Sequence, residues 1–345
     1  MSLRPSPLEF AAGLTRGEPL PSRRDEAWKW SDVQRALRAL PPESPQGALA
    51  VGAGPFAGLA AEEMVFLNGR GPDEAVRLER DLIVRIVTDA VGTGHEARLR
   101  IDVPEGASAT LFESYEGHGS AYFANTLIEI TLGAGARLER IVRLDEPADA
   151  VSVSTTEVRL SAGANFAQTV LASGARLQRH ETHVRHPGAC AAVRLDGVYV
   201  LDGARHADLT SSVTHAGLNG VTSQLTKGVV RDEARAVFQG RITVLEGADE
   251  TDARMGHHAL VLSDRAEVDA KPELEIWADD VACAHGNTVG SLDAEALFYA
   301  QSRGIPEPEA RALLIEAFLG QVIDRIEHAG AREAARAWLE RALRT

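Results

Sequence analysis

The sequence predicts a mainly β protein whose core is a β-solenoid or β-helix, flanked by N-terminal and C-terminal helical regions. Short runs rich in valine, isoleucine, leucine and threonine fill residues 64–289, and long helical patterns are confined to the two ends of the chain. Small-residue corners recur between the runs, as at Gly106, Gly135, Gly163, Gly174, Gly188 and Gly203. An antiparallel sandwich is the alternative, but sandwiches rarely repeat one corner so often.

Composition restricts the class of protein. The chain has 345 residues, enough for a large core, and a net charge of −14, which argues against non-specific nucleic-acid binding. Its two cysteines are far apart in sequence, so a disulfide framework is excluded and a reducing compartment is favoured. The first 30 residues lack the apolar segment of a secretory signal, and no run approaches the ~18 apolar residues of a membrane span. We therefore expect a soluble, cytoplasmic protein.

The N-terminal helical region is predicted over residues 1–63. Apolar side chains recur at helical spacing between Asp25 and Leu40, which predicts one helix there. Pro41 and Pro42 follow, and proline ends a helix because it has no N–H to donate. The β-helix core is then expected over residues 64–289.

Residues 290–345 are predicted to form a C-terminal helical domain. Asp293 is a natural N-cap for its first helix, and Arg303 with Gly304 is a natural end. A second helix is expected to begin after Pro306 and to run to about residue 327, and a last one to cover 331–343.

The second of these helices is apolar over more of its circumference than one core-facing side requires. Its apolar residues are Ala310, Leu313, Leu314, Ile315, Ala317, Phe318, Leu319, Val322, Ile323 and Ile326. Such a helix is usually buried twice, against its own domain and against something else. The helical domain is therefore either a docking surface or an ordinary packed subdomain.

Most residues that could form a catalytic or metal site are better explained as structural residues. The sequence has no G-x-x-x-x-G-K-[ST] loop, G-x-S-x-G elbow or H-E-x-x-H motif. His180, His183 and His186 are spaced like a metal cluster, but on a strand the first and last would lie roughly 20 Å apart. We expect surface or turn histidines there. His257 and His258 are adjacent and cannot share one face of a strand.

Cys283 and His285 are the exception, because residues two apart on a strand leave the same face. A thiolate and an imidazole suit a soft metal or an iron–sulfur species, but two ligands do not close a site. The pair is either half a site that another chain completes, or no site. Asp279 and Asp280 are predicted to end the preceding strand and shape a turn, and Cys190 to be packed in the core.

The same part of the sequence resembles a known family. Its C-terminal block is similar to the signature of SufD proteins in the SufB/SufD family, scaffold subunits of the Suf iron–sulfur cluster assembly machinery. The matching segments are Pro272–Ile276, Asp279–Gly286, Leu297–Tyr299 and Ser302–Ile305. Upstream, the matching segments are Glu26–Trp30, Asn68–Gly69, Val213–His215, Phe238–Ile242 and Thr251–Ala253.

The resemblance implies a right-handed parallel β-helix and a scaffold that is not an enzyme. It implies pairing with SufB through the β-helix and binding of the ATPase SufC through the C-terminal helices. His285 and Cys283 would be candidate metal ligands at the SufB interface, where a transient iron–sulfur cluster is built, and the isolated chain would hold no cofactor. Residues expected to dock the partner are Phe298, Tyr299, Arg303, Leu314 and Phe318.

Two further classes stay open. A purely structural interaction protein would differ only in lacking a metal role. A β-helix enzyme acting on carbohydrate would need clustered carboxylates on successive coils, and no such alignment is evident. When SufB is absent, the exposed pairing surface could also form a symmetric homodimer.

Overall fold

The computed structural model describes residues 20–72 and 74–344, and it contains two parallel β-sheets followed by three helices. The strands are β1 Glu62–Leu67, β2 Val76–Arg77, β3 Leu82–Thr88, β4 Gly94–Val103, β5 Ser108–Gly117, β6 Phe123–Leu132, β7 Arg137–Asp145, β8 Val151–Leu160, β9 Asn165–Ala172, β10 Leu177–His186, β11 Ala192–Leu201, β12 His206–His215, β13 Val221–Val230, β14 Arg235–Val244, β15 Thr251–Val261, β16 Glu267–Ile276 and β17 Val281–Gly290.

Odd-numbered and even-numbered strands form separate sheets. The order is β1-β3-β5-β7-β9-β11-β13-β15-β17 in one sheet and β16-β14-β12-β10-β8-β6-β4-β2 in the other. Every neighbouring pair is parallel, so each coil contributes one strand to each sheet before the chain rises to the next coil. This arrangement confirms the predicted parallel β-helix and excludes the antiparallel sandwich.

The corners that recur in the sequence stack into a ladder. Gly106, Gly135 and Gly163 have φ values of 68°, 64° and 66°, which glycine adopts without steric cost. In later coils Cys190, Asn219 and Glu250 take the same left-handed conformation. Within this ladder the corner residue donates its backbone N–H to a carbonyl of the next coil, as Gly106 does to Ala134 and Gly163 to Ala189.

Cys190 is therefore exposed, and the prediction that it is packed in the core is wrong. Its φ of 59° places it at a corner of the coil, where its backbone N–H donates to Leu218 O at 2.8 Å. A side chain at such a corner projects away from the enclosed strands. The hydrophobic character of cysteine does not override this backbone position.

The middle strands of the odd-numbered sheet, such as β3 and β9, are buried on both faces. One face lines the interior of the coils, and the other is covered by the C-terminal helices, whose Ile315, Leu319 and Trp338 pack against Phe112 and Val198. Burial on both sides explains why strands such as β3 read as continuous apolar runs rather than alternating patterns.

The helices depart from the predicted bounds at several ends. Instead of one helix over Asp25–Leu40, the chain forms a 3-10 helix Glu26–Trp28 and a short α1 Val33–Leu37. Asp32 separates them, because its side chain accepts from Arg35 N and caps a new helix. Residues 1–19 of the predicted N-terminal region lie outside the described residues.

The C-terminal helices are α2 Ala294–Ser302, α3 Glu307–Ile323 and α4 Ala329–Arg344. Asp293 caps α2 by accepting from the backbone N–H groups of Glu295 and Ala296, as the sequence predicts. The second helix ends at Ile323, earlier than residue 327, and the last begins at Ala329 rather than 331. None of the helices in the described part of the chain is long and apolar enough to cross a membrane.

Candidate functional site

The open end of the β-helix is formed by β16 and β17, the last strands of the two sheets. Cys283 pairs with Ala253, and His285 pairs with Met255, on the neighbouring strand β15. Ala253 and Met255 are both buried inside the coils. Because aligned strand positions face the same side, Cys283 and His285 also face the interior. They lie on one face, as their spacing predicts.

The two side chains differ in environment. Cys283 is half-buried and packs against the hydrophobic interior, whereas His285 is exposed on the final coil. Burial raises the pKa of the Cys283 thiol, and the carboxylate of Asp252 raises it further. The thiol is consequently protonated near neutral pH and must lose a proton before it can bind a metal.

The pair does not complete a metal site by itself. Within residues 20–72 and 74–344, no group of three or more histidine, cysteine, aspartate and glutamate side chains is arranged to hold a metal ion. The pair lies at an open end, which leaves room for side chains from another chain beside it. The role of Cys283 and His285 as ligands stays a prediction.

Both strands at this end have an unpaired edge. No strand of the described chain pairs with the outer edge of β16 or β17, so their backbone N–H and C=O groups remain available. Trp277, directly after β16, is 66% exposed, and Ile276 and Val289 are exposed beside it. Trp277 is not among the site residues that the sequence predicts. An aromatic residue at a strand end is the signal that could have identified it.

The three histidines of β10 do not form a cluster, but the expectation that they are surface or turn residues is wrong for two of them. His180 and His186 are buried inside the coils. His180 Nδ1 lies 2.7 Å from Ser154 Oγ, and His186 contacts His215. Alternation along the strand directs these even-numbered side chains inward.

The two pairs of adjacent residues, His257 with His258 and Asp279 with Asp280, lie where the sequence predicts. His257 is buried inside the coils, whereas His258 lies on the opposite face of β15 and contacts Thr288. Asp279 and Asp280 occupy the connection between β16 and β17, where Asp280 O accepts from Glu250 N at 2.6 Å.

The predicted docking residues are distributed over α2 and α3. Phe298 and Tyr299 on α2 are 72% and 60% exposed, and none of the residues of α2 is buried. Arg303 stacks on the Tyr299 ring, with its guanidinium carbon 5.2 Å from the centroid. Leu314 is half-buried on α3.

Phe318 of α3 has a different environment. It is half-buried beneath the helix, with Lys227 Nζ 4.4 Å from its ring centroid, so it holds α3 on the β-helix. Leu313, which was named only as part of the apolar stripe, is 52% exposed on the outer side of α3. The wide stripe therefore has one buried side and one exposed apolar side.

The sequence is similar to proteins of iron–sulfur cluster assembly. The family described as SUF system FeS cluster assembly, SufBD core domain, matches residues 86–318. A SufBD family protein of Synechocystis is 32% identical over 254 residues, which cover 71% of this chain and 56% of the relative. The Escherichia coli iron–sulfur cluster assembly protein SufD is 33% identical over 250 residues, covering 72% of this chain and 59% of the relative.

A plant relative extends the comparison. The Arabidopsis thaliana protein ABCI7, chloroplastic, is 29% identical over 288 residues, which cover 78% of this chain and 61% of the relative. The chain thus spans less than two thirds of the length of these three relatives. The matched region includes nearly all of the β-helix together with Cys283, His285 and the α2 helix.

Proposed function

Because this chain belongs to the SufBD family of the SUF iron–sulfur cluster assembly system, we propose that it is a scaffold subunit without catalytic activity of its own. In this proposal it has the role of SufD, pairing with SufB and binding the ATPase SufC. The observation that carries the proposal is the Cys283 and His285 pair, a two-ligand half-site on the last strand of an open β-helix.

The open edges of β16 and β17 support pairing with SufB at this end. Unpaired strand edges are ready to add a strand from another chain, since main-chain hydrogen bonds give affinity and side chains give specificity. Trp277, Ile276 and Val289 supply exposed apolar area beside those edges. A partner bound here would cover Cys283 and His285 and could supply the missing ligands.

The exposed side of the helical domain supports binding of SufC. Aromatic side chains are enriched among the residues that contribute most to interfaces, and Phe298 and Tyr299 lie exposed on one helix. Leu313 adds an exposed apolar group on α3. The buried side of α3 is held on β13 by Lys227, whose Nζ donates to Gln321 Oε1 at 2.6 Å.

The chemistry proposed for the half-site follows from its two side chains. Imidazole nitrogen is a ligand that suits iron, and His285 is exposed on the final coil where a metal can reach it. Cys283 becomes a ligand only after its thiol is deprotonated, which a bound metal favours. Iron and sulfide are the substrates of this scaffold, and the chain's own part is to hold them at the interface.

The test compares His285→Ala with His258→Ala in the complex reconstituted with SufB and SufC. His258 is a matched control because it lies on the neighbouring strand but faces outward. We expect His285→Ala to lower the iron and sulfide bound per complex while association, measured by gel filtration, is unchanged. Equal iron and sulfide in both variants would instead favour a structural interaction protein with no metal role.

A further inference from the structure

A hydrogen-bonded chain of three side chains runs from the interior of the β-helix to its open end. Tyr199 Oη lies 2.9 Å from His257 Nε2, and His257 Nδ1 lies 2.7 Å from Asn287 Oδ1. Tyr199 and His257 are fully buried, whereas Asn287 is exposed on β17. The imidazole is also stacked on Phe238, with ring centroids 4.6 Å apart and planes 8° apart.

The position of the hydrogen in each of these two hydrogen bonds follows from Asn287. An amide oxygen only accepts, so His257 Nδ1 carries the hydrogen that is donated to Asn287 Oδ1. His257 Nε2 then accepts the hydroxyl hydrogen of Tyr199. Burial lowers the pKa of His257 to about 4, so the ring is neutral near neutral pH, and its bond to Asn287 selects the tautomer.

The bond to His257 holds the Asn287 amide in one orientation. With Oδ1 bound to His257, the amide nitrogen is directed away from the His257 ring, and no acceptor among the described residues takes a hydrogen bond from it. Asn287 pairs with His257 as His285 pairs with Met255, so both face the open interior of the last coil. Their positions along the strand are about 7 Å apart.

We propose that Asn287 is a third group of the Cys283 and His285 half-site, and that His257 positions it to donate an N–H to anionic sulfur bound there. The inference rests on the proposed function, since iron and sulfide would have to assemble at His285. An amide donor at this distance reaches a sulfide or thiolate in contact with iron at His285. Hydrogen bonds to sulfur stabilise its negative charge and tune the reduction potential of a cluster.

The same strands contain a matched control. His258 Nδ1 lies 2.7 Å from Thr288 Oγ1, one residue along each strand and on the opposite face of the sheet. This pair has the same separation between strands but faces away from the half-site. A substitution at Thr288 therefore removes a histidine hydrogen bond on β17 without changing the interior, and it measures the effect of that loss alone.

The first measurement uses the chain by itself and asks whether His257 has the inferred tautomer. Nitrogen-15 NMR of the histidine side chains should show His257 protonated only at Nδ1 at pH 7. In Tyr199→Phe, the Nε2 resonance should shift because it loses its donor. A His257 protonated at Nε2 would overturn the proposal, since the Asn287 amide would then be reversed.

The second measurement uses the complex with SufB and SufC, loaded with ferrous iron and sulfide. Asn287→Asp and Asn287→Leu both remove the N–H donors, the first adding a charge and the second adding none. We expect both to lower the reduction potential of the assembled cluster and to release sulfide several-fold faster than Thr288→Val. Gel filtration is used to compare the variants at equal SufB content.

Two outcomes would count against the proposal, and they are distinguishable. If both Asn287 variants match Thr288→Val while His285→Ala still loses iron and sulfide, the role of Asn287 is overturned and the proposed function stands. If His285→Ala also retains a normal cluster, the proposed function fails and the inference fails with it.

Discussion

Arg140 and Glu113 form an ion pair inside the β-helix in which both side chains are completely buried. Arg140 Nε and Nη2 donate to the two carboxylate oxygens of Glu113 at 2.8 and 2.7 Å. Arg140 Nη1 also donates to Gln168 Oε1, and Gln168 Nε2 donates to Thr182 Oγ1. The interior of the coils thus contains a polar network as well as apolar side chains.

The first prediction concerns this pair. Arg140→Met should lower the free energy of unfolding by about 3–5 kcal/mol, because it leaves the Glu113 carboxylate buried without its partner. Urea unfolding measures the loss. The control is Arg100→Met, whose pair with Glu129 at 3.0 Å is exposed and should contribute about 0–1 kcal/mol. Similar losses in both variants would contradict the buried network.

The second prediction concerns the N-terminal segment. Trp28 is buried, and the Arg179 guanidinium lies 3.8 Å from its ring centroid. Arg179 is itself buried and bound to Asp208 and Glu181. Trp28→Ala should cost about 3 kcal/mol or more, since it opens a cavity over a buried cation. Urea unfolding should show little change for Trp277→Ala, which is the exposed control.

The third prediction concerns the helical domain. Phe298→Ala combined with Tyr299→Ala should weaken binding of SufC at least ~10-fold, which corresponds to about 1.4 kcal/mol. The unfolding free energy should hardly change because both rings are exposed. Calorimetric titration measures the affinity, with Val91→Ala as a control at an exposed apolar residue elsewhere. An unchanged affinity would contradict the proposed SufC surface on α2.

The fourth prediction concerns pH. Burial lowers the pKa of five histidines from 6.5 to about 3 or 4: His95, His186, His206, His215 and His257. As the pH falls, these histidines bind protons in the unfolded chain before they do so in the folded chain. Their contribution to the free energy of unfolding is therefore complete above about pH 6.5 and is lost as the pH falls towards 4. Burial also raises the pKa of Glu146 and Asp196 to about 7, so these two groups stabilise the folded protein as the pH falls. They oppose the effect of the five histidines but are fewer.

We therefore expect the urea midpoint to fall between pH 6.5 and pH 4.5. His95→Gln keeps a side chain that can bond Ser44 and Thr88 but does not titrate. It should reduce the pH slope by about 1.4 kcal/mol per pH unit. The same replacement at exposed His118 controls for the substitution itself. A midpoint that is constant over this range would refute the burial of neutral histidines.

The sequence by itself was sufficient for the class of fold and for the shared face of Cys283 and His285. Strand runs and left-handed corners are local features, so Gly106, Gly135 and Gly163 predict a coil before any pairing is known. The caps of α2 are local for the same reason, since Asp293 bonds residues two and three positions away. The shared face of Cys283 and His285 follows from the period of a strand.

Only the tertiary structure determines the features that depend on how the coils stack. Cys190 is exposed because its corner continues a ladder of backbone bonds, which no local preference of cysteine predicts. Tyr199, His257 and Asn287 come from three different strands, and only the register of β11, β13, β15 and β17 brings them together. Register between distant segments is set by packing of the whole core. For that reason the sequence predicts the two ligand candidates, whereas the side chains that surround them follow from the folded coils.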